Sequence, residues 1–169
     1  MKTILLLCLV VFTFVGISNE DVLIPDDALR LRIVANSNTE YDQDIKEEVK
    51  ESVESTLYTL LSSSTSLEQS RQIVNNNLSV IEKNITDIFN EYNYDETFSI
   101  NYGLNYFPQK EYEGVIYDEG NYESLLITLG SGEGDNWWCV LYPPLCMIEQ
   151  TDEDVEYKSL VMEILEQFN

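Results

Sequence analysis

The chain of 169 residues carries 31 acidic side chains against 9 basic ones and no histidine, a formal charge of −22. With 44% hydrophobic and 11% aromatic residues it is too apolar for a disordered acidic tail, so the charge decorates a folded body. That charge repels nucleic-acid phosphate and anionic lipid headgroups. The missing histidine removes the commonest general base and metal ligand together, leaving carboxylates, tyrosine and cysteine for any chemistry.

Met1, Lys2 and Thr3 make a short positive start, and residues 4–16 are almost wholly apolar. A helix over that run spans about 20 Å, short of a hydrocarbon core about 30 Å thick. Gly16 and Ser18 stand where small residues precede a signal-peptidase cut before Asn19. Residues 1–18 therefore read as a signal peptide, with an uncleaved N-terminal anchor as the competing reading and the only expected membrane contact. Export would place Cys139 and Cys146 in an oxidising compartment, where they are candidates for a structural disulfide rather than two buried free thiols. Their spacing is neither a Cys-x-x-Cys redox motif nor half of a zinc site.

Residues 19–27 read as a tether, and residues 28–169 as one α+β domain. Leu29, Leu31, Ile33 and Ala35 alternate with Arg30, Arg32 and Val34, the period of a strand. Asn36-Ser37-Asn38 ends it, and Thr39 with Asp42 three residues on resembles a helix cap. Ile45, Val49, Val53, Leu57 and Leu60 then make an amphipathic helix ending near Ser62. A second helix is expected from Thr65, with Glu68 as its capping partner. Its stripe runs through Leu67, Val74, Leu78, Ile81, Ile85, Ile88 and Tyr92, and two such stripes are read as core rather than coiled coil.

From Thr97 the period becomes two: Phe98, Ile100, Tyr102, Leu104 and Tyr106 are expected to share one buried face, up to Pro108. A short strand at Val115-Ile116-Tyr117, a strand from Tyr122 to Leu129, a hairpin loop over residues 130–136, a last strand from Trp137 to Tyr142 and a closing helix from about Thr151 complete the chain. The pattern predicts a mostly antiparallel sheet with amphipathic helices packed on one face.

The glycine-rich loop, Gly130-x-Gly132-x-Gly134, lacks dinucleotide spacing, carries Glu133 and Asp135, and leads into a strand, so it predicts no phosphate ligand. Asp152-Glu153-Asp154 lacks a calcium-loop pattern, and Ser-His-Asp or Cys-His catalysis is impossible here. No catalytic residue, metal ligand or cofactor site is assigned, which leaves a carboxylate-only hydrolase as one alternative function. Adjacent Trp137 and Trp138 must point to opposite faces of their strand, so either both are covered, by helices on one side and a loop on the other, or one fills the core while the other meets a partner. A glycan of the cell wall stacked on an exposed tryptophan is the other alternative.

Two stretches resemble a known family. Gly130-Ser-Gly-Glu-Gly134-Asp135-Asn136-Trp-Trp-Cys-Val-Leu-Tyr-Pro-Pro-Leu-Cys146 and the earlier Ile24-Pro25-Asp26-Asp27-Ala28-Leu29-Arg30-Leu31-Arg32-Ile33-Val34-Ala35-Asn36-Ser37 are similar to the signatures of the stage II sporulation protein R family. Asn38 and Leu126 depart from it, standing where aspartate and arginine are usual. The resemblance implies a non-enzymatic signal, secreted from the forespore into the intermembrane space. Its partner would be a membrane-embedded aspartic protease, which it activates to process the precursor of the mother-cell sigma-E factor. Trp137, Trp138, Asn136, Arg32 and Asn36 are the candidate partner contacts.

Overall fold

The computed structural model describes residues 27–112 and 115–144. The expected signal segment, the expected tether up to Asp26, Cys146 and the expected closing helix lie outside the described residues. Strand β1 (Leu29–Val34) is followed by helices α1 (Glu40–Leu61), α2 (Leu67–Asn76) and α3 (Leu78–Glu91). Strands β2 (Phe98–Phe107), β3 (Lys110–Tyr112), β4 (Val115–Tyr117), β5 (Gly120–Leu129) and β6 (Asn136–Tyr142) come next. The four longer strands form one sheet in the order β2-β5-β1-β6, and β3 with β4 forms a separate hairpin. Only the β1–β5 pair in the sheet is parallel, so the expected α+β class with a mostly antiparallel sheet holds.

The core lies between the sheet and the helices. Leu29, Leu31 and Ile33 of β1 and Leu125, Ile127 and Leu129 of β5 share a face because successive strand residues alternate. Against them pack Ile45, Val49, Val53 and Leu57 of α1, Val74 of α2, and Ile81, Ile85 and Phe89 of α3, at the three- and four-residue spacing of one helical stripe. Each such side chain, fully buried, contributes about 1.5–3 kcal/mol. Arg71 of α2 adds a two-pronged ion pair to Glu123 of β5, at 2.9 Å through Nε and 2.7 Å through Nη2, tying that helix to the sheet.

Several sequence expectations are corrected. The expected single helix from Thr65 is two, broken at Asn77, whose Nδ2 donates to the Ile73 carbonyl at 2.7 Å and ends α2. Its cap is Ser66, whose hydroxyl accepts from the Gln69 amide, rather than Thr65 with Glu68. Tyr92 is exposed, and Tyr94 joins the core instead. Strand β1 is paired along both edges and buried on both faces for nearly its whole length. In β2, Leu104 and Tyr106 are 74% and 54% exposed, whereas Asn105 and Phe107 on the opposite face are 5% and 6% exposed. The helices cover only the first half of that strand; its second half is covered from the other side.

Candidate functional site

Parallel pairing brings the C-terminal ends of β1 and β5 to the same end of the sheet. Since β6 runs antiparallel on the far side of β1, the β5–β6 connection must cross over the end of β1. The glycine-rich segment is therefore a crossover, not the expected hairpin loop, and it lies on Ala35, Asn36, Ser37 and Asn38. Glu133 N donates to the Asn36 carbonyl and Gly134 N to the Ala35 carbonyl, both at 3.0 Å, while Ala35 N donates back to the Asp135 carbonyl at 3.3 Å. Ser131 N donates to Asn36 Oδ1 at 2.8 Å and Asp135 N to Asn38 Oδ1 at 2.6 Å. Gly130 N goes to Thr97 O and Gly132 N to Leu129 O. Every backbone N–H from 130 to 135 is thus used internally, and the phosphate-cradling use of such a loop has no donors left.

The glycines make this closeness possible. Gly130 and Gly132 take φ of +53° and +68°, and a Cβ on Gly134 would fall on the Ser37 carbonyl oxygen. Below the clasp sits Asp42, only 7% exposed, whose N–H is capped by Thr39 Oγ1 at 3.2 Å as the sequence pattern predicts. Its carboxylate accepts from Asn36 Nδ2 at 3.2 Å, from Tyr94 Oη at 2.5 Å and from the Ser37 hydroxyl. Burial alone would raise the Asp42 carboxyl; the hydrogen bonds from Ser37, Tyr94, Thr39 and Asn36 outweigh it and hold the group below its ordinary value. Desolvation, then the hydrogen bond to Asp42, pushes the Tyr94 phenol well up. Asn36 therefore joins three segments: the end of β1, the crossover and the start of α1.

The tryptophans diverge as strand geometry requires. Trp137, opposite Ile33 on β1, packs against the helix-side core with the Lys50 ammonium 5.7 Å from its ring centre. Trp138, opposite Arg32, lies on the other face, edge-on to Phe107 at 6.4 Å and to Tyr117 at 5.3 Å. Both are half-buried. Beside Trp138 opens a cavity of about 370 Å³, lined by Phe107, Pro108, Gln109, Lys110, Asp135 and Asn136 as well. Lys110 Nζ stands 5.5 Å from the Trp138 ring centre. Arg32 donates from Nη1 to the Tyr106 carbonyl at 3.0 Å and lies 5.5 Å from the Phe107 ring, but its buried Nε has no hydrogen-bond partner.

Of the sequence-predicted site residues, Trp138, Asn136 and Arg32 come together at this end of the sheet, with Asn36 in the adjoining clasp and Trp137 on the helix side. Cys139 is buried in β6; Cys146 lies outside the described residues, so their pairing is taken up below as a proposal. Asp42, Tyr94, Phe107 and Lys110 went unnoticed in the sequence as site residues. Asp42 had a signal in the Thr39 cap pattern, whereas Tyr94 and Lys110 reach their neighbours only through the fold. Among the described residues no cluster of acids and cysteines fits a metal ion, and no helix is long and apolar enough to cross a membrane.

Comparison with known proteins finds that a family described as Stage II sporulation protein R matches residues 25–152. Stage II sporulation protein R of Bacillus subtilis (strain 168) is 34% identical over 163 residues, covering 88% of this chain and 73% of that protein. No solved structure matches.

Proposed function

The chain belongs to the stage II sporulation protein R family, and on that premise we propose that it is an exported signal of sporulation that activates a membrane-embedded aspartic protease. That protease would process the precursor of the mother-cell sigma-E factor, and this chain would act as its ligand rather than as an enzyme. The observation that supports this reading is the meeting of the two family-like stretches. They lie about a hundred residues apart in the chain, yet they are joined by the β1–β6 ladder and by the crossover clasped to Asn36 and Asn38. One rigid end of the sheet is thereby available to a receptor, with Trp138 as its aromatic anchor.

The test is co-production of the protease and the pro-sigma factor with or without this chain, following cleavage by immunoblot. Processing is expected only in its presence. In the folded Trp138→Ala variant, processing is expected to fall by about tenfold, as for a loss near 1.4 kcal/mol at an interface hot spot. Equal processing without the chain would refute the reading.

A Cys139–Cys146 bridge belongs to the same proposal. The loop it closes is small, and its contribution is about 2–3 kcal/mol on the chain-entropy estimate. Unreduced mass spectrometry of the exported protein is expected to give a chain beginning at Asn19 with one intact disulfide. A free-thiol mass would remove the bridge from the account.

A further inference from the structure

In so acidic a chain a cation without a carboxylate partner is an anomaly. Among the described residues, Lys46, Lys50, Arg71 and Lys83 all lie in ion pairs, with Glu47, Glu47, Glu68 and Glu123, and Asp87 respectively. Arg30 is engaged elsewhere, stacked 3.9 Å from the Tyr122 ring centre; Arg32 and Lys110 have no such ion pair, and both stand by the Trp138 cavity: Lys110 on its wall and Arg32 behind Phe107. Arg32 Nε is also the described side-chain atom that is buried without any hydrogen-bond partner. An uncompensated, partly buried charge is costly, and it persists where something else supplies the counter-charge.

The electrostatics agree with the geometry. Burial holds the Arg32 guanidinium below its ordinary value; burial, then the charges of Arg32 and Lys46, does the same to Lys110. Asp135 opposes that shift, but its own Oδ1 faces Asn38 Nδ2 at 3.5 Å in the clasp. The cavity lies at the lower end of the size range of ligand sites, large enough for one or two side chains, and its walls combine two aromatic rings with an ammonium and, of opposite sign, Asp135. The net negative charge of the body does not forbid an anion here. At physiological salt charges beyond about 8 Å are screened, and Lys110 acts inside that distance.

We infer that this cavity receives an acidic side chain, flanked by apolar residues, from the partner polypeptide. Lys110 would be its direct counter-charge, Arg32 would reinforce it from behind, and Phe107 and Trp138 would hold the flanking apolar groups. The inference deepens the ligand reading above by naming the chemistry of the partner. Its test uses no protease, so the two can fail separately.

The full chain is titrated calorimetrically with a blocked Gly-Leu-Glu-Leu-Gly peptide and with its Gln counterpart. The Glu peptide is expected to bind about tenfold more tightly than the Gln peptide, the ratio expected from one charge-assisted contact. Lys110→Met is expected to bring the two within about twofold, and Lys110→Arg to keep the gap. Equal binding of the two peptides, or binding of neither, would overturn the inference. Sodium acetate displacing the Glu peptide at equal concentration would overturn the polypeptide as the source of the carboxylate. A gap that survives in Lys110→Met would overturn the role of Lys110.

Discussion

Replacing Asp42 with alanine is expected to cost about 3 kcal/mol of folding stability, measured by urea unfolding followed through tryptophan fluorescence. The buried carboxylate accepts from Asn36, Ser37 and Tyr94 at once, and alanine leaves those donors facing each other without an acceptor. The damage should extend beyond α1, because Asn36 holds Ser131 with the same side chain that it offers to Asp42. Asp42→Asn keeps an acceptor oxygen but brings an amide N–H₂ toward other donors, so an intermediate loss of about 1–2 kcal/mol is expected.

The pH dependence has a definite sign. The Asp42 carboxyl is held below its ordinary value in the folded protein, so the folded state favours the ionised form. Its contribution is complete above the unfolded value near 3.9 and is lost as pH falls through the lower, folded value. Wild-type stability should therefore drop on acidification below about pH 4, and Asp42→Asn should remove part of that drop. The remainder comes from groups such as Glu47, where burial raises the carboxyl but Lys50 and Lys46 more than offset it. A wild type and an Asp42→Asn variant with parallel acid profiles would show that the clasp does not depend on this ionisation.

Gly134→Ala is expected to destabilise by about 1–3 kcal/mol, the usual cost of forcing a methyl group into a filled space. The added Cβ would meet the Ser37 carbonyl oxygen and approach Ala35 Cβ to 2.9 Å. Neither neighbour is the end of a flexible side chain, and Ala35 is paired with the crossover through two backbone hydrogen bonds. Gly120→Ala is the internal control: its Cβ would come no closer than 3.3 Å to the Tyr122 ring, and the residue needs no positive φ. Comparable unfolding midpoints for the two variants would mean that the crossover does not need its close approach. If the clasp presents the receptor surface, Gly134→Ala should also lose sporulation activity at temperatures where the Gly120 variant keeps it.

How much of this was legible beforehand varies with the residue. The stripe Ile45, Val49, Val53 and Leu57 announced its helix because a one-sided apolar pattern has few other homes. Adjacent Trp137 and Trp138 announced a split between faces for the same kind of reason. Glu68 was the wrong capping partner because Ser66 and Gln69, one residue along, satisfy the same pattern. Leu104 and Tyr106 were misplaced because alternation tells which residues share a face, but not whether another layer reaches that far. Lys110 gave no sign at all, since a lone lysine after a proline has no local feature that reveals an absent counter-charge.

By itself the sequence determined the class of the protein: an acidic, histidine-free α+β chain with amphipathic helices and two family-like stretches. Those are properties of local period, composition and motif, which short-range sterics and solvation express directly. Only the tertiary structure decided that β1 lies parallel to β5 and between it and β6, because strand order depends on pairing across a hundred residues. From that order follow the crossover in place of a hairpin, the burial of Asp42 beneath it, and the meeting of Arg32 and Lys110 beside Trp138 with no ion pair to either. The site exists because distant segments were brought within hydrogen-bonding range, and no local pattern records that distance.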